Sequence, residues 1–109
     1  HDGRSLMFDN EPLVILVESS GDGPHDLRIQ LEGPWDDIES VSGLTQFLRA
    51  NKINEFHVTG LFKDTHPVLV TPTEGARWEH ALATYNAVAL AQYTNITLAE
   101  PVTKPDVLQ

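Results

Sequence analysis

The sequence predicts an α+β fold, a two-layer arrangement of a mixed five-stranded sheet with two helices on one face. Three observations carry this. Five short segments, at residues 13–18, 26–32, 56–62, 68–71 and 95–99, are β-branched and apolar or alternate between apolar and polar residues, as strands do. Two longer segments carry apolar residues at helical spacing, one entered near residues 35–41 and one running over residues 71–92. Taken in order, the elements read β-β-α-β-β-α-β.

Residues 1–12 are polar except for the patch Leu6, Met7 and Phe8, and are expected to form a flexible arm. The chain starts at His1, which suggests a processed form, an excised domain or a tag remnant at residues 1–5. The single domain is expected at residues 13–100. Its first segment, LVILVE, is apolar without interruption from Leu13 to Val17, so the strand should be buried on both faces and central. A loop of composition SSGDGPH follows. Then Leu27, Ile29 and Leu31 alternate with Arg28, Gln30 and Glu32, a strand with one wet face.

Gly33-Pro34 breaks that strand. Trp35 is expected to staple the entry of a helix against the core. Asp36, Asp37 and Glu39 suit the first turn of that helix, where the macrodipole favours negative charge, and Ser40 or Ser42 is its N-cap. Val41, Leu44, Phe47 and Leu48 make its buried stripe, and Asn51 is placed to end it as a left-handed cap. Residues 56–62 alternate again, with Phe56, Val58 and Phe62 inward and His57, Thr59 and Leu61 on the other side.

Residues 68–71 form a short strand that runs directly into the second helix. Thr71 and Glu74 match a capping box, with Pro72 at the first helical position. Trp78, Ala81, Leu82, Tyr85, Val88 and Ala89 then recur at helical spacing and are expected to be the buried stripe of the core helix. Ile96 and Leu98 point inward from the last strand. Residues 101–109 contain prolines and no period, and read as an extended tail or linker.

From residue 26 onward the order is β-α-β-β-α-β, which resembles the ferredoxin-like split βαβ pattern. The resemblance is one of architecture alone. The strand at residues 13–18 fits it poorly, because a hairpin onto residues 26–32 takes a slot that plan gives to the final strand.

Composition excludes several classes. There is no cysteine, which rules out disulfides, thiolate metal sites and cysteine nucleophiles. The same absence leans towards a soluble, cytoplasmic protein, with the compartment itself unknown. No apolar run approaches the ~20 residues of a membrane span. Sixteen acidic against seven basic residues give a net charge of −9, which repels phosphate backbones and anionic membranes alike. No nucleic acid or membrane partner is therefore expected.

The histidines are the weak catalytic candidates: His57 on a strand, His66 in the turn after it and His80 on the second helix. Their spacing matches no metal-ligand pattern, so neither a metal nor a cofactor is expected. Gly21-Asp22-Gly23 follows a strand but precedes another strand, so it does not form a phosphate loop. The function these features favour is a non-enzymatic binding or assembly domain. Its contact surface is the sheet face away from the helices, carrying Arg28, Gln30, His57, Thr59, Leu61 and Leu69, and its partner is another protein or a second copy in a weak homodimer. The alternative is a small cofactor-free enzyme or small-molecule sensor, with a pocket between sheet and helices served by His57 or His80.

Overall fold

The structure, a computed structural model, describes residues 11–33, 35, 37–53 and 60–100. The fold is α+β. Strand β1 (Leu13–Ser19) is followed by β2 (Leu27–Leu31), helix α1 (Val41–Ala50), β3 (Val68–Pro72), helix α2 (Trp78–Leu90) and β4 (Ile96–Leu98). The strands form one mixed sheet in the order β2-β1-β3-β4. The β1–β2 pair is antiparallel, whereas β1–β3 and β3–β4 are parallel.

The apolar run Leu13–Val17 does take a central place. Register sets one side chain of each strand beside the next across the sheet: Leu31 beside Ile15, Ile15 beside Val70, Val70 beside Leu98. On this face Ile15, Val17 and Val70 are fully buried, and Leu44 and Leu48 of α1 and Val88 of α2 join them in one core. Each such side chain contributes about 1.5–3 kcal/mol of burial. The alternate residues Val14, Leu16 and Leu69 fall on the opposite face and are half-buried.

Among the described residues the sheet has four strands where five were expected. Most of the segment 56–62, including His57 and Thr59, lies outside the described residues. Leu61 and Phe62 do not join the sheet: Phe62 bridges Lys52 at the end of α1, and the Leu61 and Phe62 amides both donate to Asn51 O. Among the described residues the order from β2 onward is therefore β-α-β-α-β, not the split βαβ plan. Phe62 is buried, and Trp35 lies against it and against Phe47, with ring centroids 6.0 and 5.6 Å away.

Helix α1 starts where its cap residue dictates. Ser40 is extended and its Oγ accepts from the Gly43 N–H at 3.0 Å. At the other end Asn51 has φ −105°, so it is not the left-handed cap expected; its side-chain amide instead donates to Phe47 O at 2.9 Å.

Helix α2 begins at Trp78, six positions beyond the first helical position, Pro72, that the capping box implies. Thr71 and Pro72 are the last residues of β3, paired with Leu16 and Val17. The Thr73 N–H donates to Val17 O, which turns the nitrogen of Pro72 to the other side of the strand. There β4 has already ended at Leu98, opposite Val70, so no ladder bond is lost to the proline. Gly75, at φ +90°, turns the chain between strand and helix.

The later start accompanies a different buried face. His80, Ala81, Thr84, Ala87 and Val88 are buried. Trp78 and Leu82, placed on the buried stripe by spacing, are 58% and 38% exposed, and Ala89 is exposed too. Small side chains let α2 lie close to the sheet and to α1, which the larger ones at 78 and 82 would prevent. Thr45 Oγ1 crosses to Ala87 O at 2.9 Å. The carbonyl end of α2 is held by α1 and its exit: Arg49 donates to Leu90 O, and Lys52 Nζ to Ala91 O and Gln92 O.

Candidate functional site

Two regions of the described residues gather the polar chemistry. The first lies at the carboxyl ends of the parallel strands β1 and β3. Ser19 ends β1, and its Oγ is 2.6 Å from His80 Nδ1 in the first turn of α2. His80 Nε2 is 2.9 Å from Gly23 O. A carbonyl only accepts, so Nε2 carries the ring proton, and Nδ1 accepts from the Ser19 hydroxyl. Ser19 Oγ in turn accepts the Arg77 backbone N–H at 2.8 Å, and Arg77 forms an ion pair with Asp22. His80 is 4% exposed. A shallow cleft of about 360 Å³ opens beside Ser19, bounded by Glu18, Arg28, Thr73 and Glu74.

A serine hydroxyl on an imidazole nitrogen is the pairing that activates a nucleophile. Here the hydroxyl's proton and one of its lone pairs are used inside the fold. The hydroxyl stands in for an N-cap to α2, whose own cap position, Arg77, offers no side-chain acceptor. The imidazole ties the 20–26 loop to that helix. No local spacing foretells this cluster, because its parts are separated by 61 positions.

The second region is the face of the sheet opposite the helices. Register brings Arg28 beside Glu18, Gln30 beside Leu16, and Leu69 beside Val14. Arg28 and Gln30 are exposed, and Leu69 is half-buried. Thr71 sits beside Leu16; it is 5% exposed, and its Oγ1 is buried without a hydrogen-bond partner. Three of the six contact residues expected from sequence, Arg28, Gln30 and Leu69, thus share this face. Leu61 does not: it packs against the core beside Asn51.

His66 and His80 do not converge. His66 precedes β3 and is buried against the Phe62 ring, with centroids 4.9 Å apart. His80 lies beyond the far end of β3, a strand whose five residues span roughly 16 Å. Among the described residues no three His, Asp or Glu side chains gather as a metal site requires. Burial, with Asp64 adding to it, pushes the Tyr93 phenol above its ordinary range, and its hydroxyl donates to Leu48 O at 2.8 Å. That places it in the core's structure, away from both regions.

No described helix is long and apolar enough to cross a membrane. Comparison with known protein families, with curated proteins and with solved structures finds no match. The α+β architecture by itself assigns no activity.

Proposed function

We propose that the protein is a non-enzymatic binding or assembly domain that uses the open face of its sheet, and that its partner there is a second copy of the chain. The observation that carries this is the one-sided core. Both helices share a core with Ile15, Val17 and Val70, while Val14, Leu16 and Leu69 form an apolar centre on the other face, bordered by Glu18, Arg28 and Gln30. An apolar centre with a polar rim is the layout of a protein contact surface. Two such faces related by a twofold axis complement each other without a second kind of surface, and Arg28 of one copy is free to approach Glu18 or Glu32 of the other.

The enzyme reading draws on the Ser19–His80 contact. It is the weaker of the two because Ser19 Oγ is also held by the Arg77 N–H at the start of α2 and His80 is buried, so a structural role accounts for the pair.

Sedimentation velocity at several concentrations tests the proposal, on the parent chain and on Leu16→Asp, with circular dichroism to verify that the variant is folded. A concentration-dependent sedimentation coefficient, lost in the folded variant, is expected. A parent that stays monomeric at millimolar concentration overturns self-association.

A further inference from the structure

The two helices meet through small side chains. Thr45 and Ala87 touch at the floor of their contact, and above them a groove of about 500 Å³ stays open between Val41 and Gln46 of α1 and Ala83, Asn86 and Leu90 of α2. Its apolar wall ends at Leu90, which is 63% exposed. At Val41 and Ala83 the groove continues into a hollow of about 310 Å³ over Pro24 and Leu27. The same Pro24, Leu27 and Val41 border a further hollow of about 280 Å³ next to Glu39. The result is one trough. From Leu90 to Glu79 it follows α2 for roughly 16 Å, about three helical turns.

Charge is concentrated at one end. Glu39 stands on one bank of the Pro24–Leu27 hollow, and Glu79 and Asp22 on the other. Asp22 is paired with Arg77, so Glu39 and Glu79 set the sign there. At the opposite end the Arg49 guanidinium is held on Leu90 O. The net charge of −9 adds a long-range preference for a basic partner. Along its length between α1 and α2 the walls are helices, whose backbone groups are bonded internally, so that part offers no row of free N–H and C=O groups to an extended strand. A third helix fits such a groove with its ridge of side chains and needs no backbone partner.

We infer that the α1–α2 groove is a docking site for an amphipathic helix of a partner protein, with apolar residues along the Val41–Ala83–Leu90 wall and Lys or Arg at the end that meets Glu39 and Glu79. This surface is distinct from the open sheet face, so the two proposals stand or fall separately.

The test is a ¹⁵N–¹H NMR titration of the full chain with a synthetic 14-residue helical peptide bearing leucines at i, i+4, i+7 and i+11 and three lysines in one terminal turn. A twin with glutamate for lysine is the comparison. Saturable shifts at the amides of Val41, Thr45, Ala83 and Ala87 are expected, with the twin at least tenfold weaker. Glu39→Lys combined with Glu79→Lys, both at exposed positions, should reverse that preference, and Leu90→Ser should weaken binding several-fold without moving the denaturation midpoint. No saturable shift at millimolar peptide, shifts confined to Leu16, Leu69 and their strand neighbours, or equal binding of the two peptides each overturns the inference.

Discussion

Ser19 and His80 are bonded at 2.6 Å across 61 positions, and this contact fixes where α2 begins. The hydroxyl accepts the Arg77 N–H, one of the donors a helix leaves unpaired at its start, and gives its own proton to His80 Nδ1. The other ring nitrogen reaches Gly23 O, so one serine and one histidine join the end of β1, the loop after it and the first turn of α2.

Removing the Ser19 hydroxyl leaves two groups without partners, one of them on a buried ring. Ser19→Ala is expected to cost about 1–3 kcal/mol, the range for a lost cap combined with an unsatisfied buried acceptor. Ser20→Ala is the control. Its side chain is exposed and donates only to Asp26 O at 3.2 Å, so it should change stability by less than about 0.5 kcal/mol. Urea denaturation midpoints of the two variants decide the matter: equal midpoints would mean that the cluster carries no stability.

What was legible in the sequence was local. The uninterrupted run Leu13–Val17 marks a central strand, the alternation over Leu27–Leu31 marks a strand with one wet face, and Ser40 caps α1 three residues before the amide it accepts from. What was not legible depended on distant partners. The Thr71–Glu74 spacing is a sound local cap, but Thr71 and Pro72 gain more as strand residues beside Leu16 and Val17. The stripe of α2 was misplaced for a related reason. Large apolar residues lie on several sides of that helix, and the buried side is the one whose small residues permit close approach to β1 and α1, with His80 and Thr84 included because each has a hydrogen bond to make. The open sheet face was half legible, since Arg28, Gln30 and Leu69 follow from alternation alone, whereas Ser19 and His80 meet only once the whole chain has folded.

The corrected stripe has a direct consequence. Leu44 is 0% exposed, while Leu82 is 38% exposed. Leu44→Ala should cost about 2–5 kcal/mol, as large-to-small changes in a packed core do. Leu82→Ala should cost less, about 1–2 kcal/mol, because over a third of the side chain already faces water. Chemical denaturation of both variants under one set of conditions checks the ordering. A Leu82→Ala loss as large as that of Leu44→Ala would restore the stripe read from spacing and reject the orientation of α2 described above.

Thr71 tests the sheet face itself. Its register beside Leu16 sets it on the face opposite the helices, yet it is 5% exposed and its Oγ1 has no partner. A hydroxyl in that position has given up its water without replacing it. Valine has nearly the same shape, keeps the β-branch that suits a strand and removes the unmet group. Thr71→Val is therefore expected to stabilise the monomer by about 1 kcal/mol, read as a shift of the urea midpoint at unchanged m. Thr71→Ser, which keeps the hydroxyl and loses the methyl, should move the midpoint the other way. A Thr71→Val chain less stable than the parent would show that the hydroxyl has a partner within the monomer.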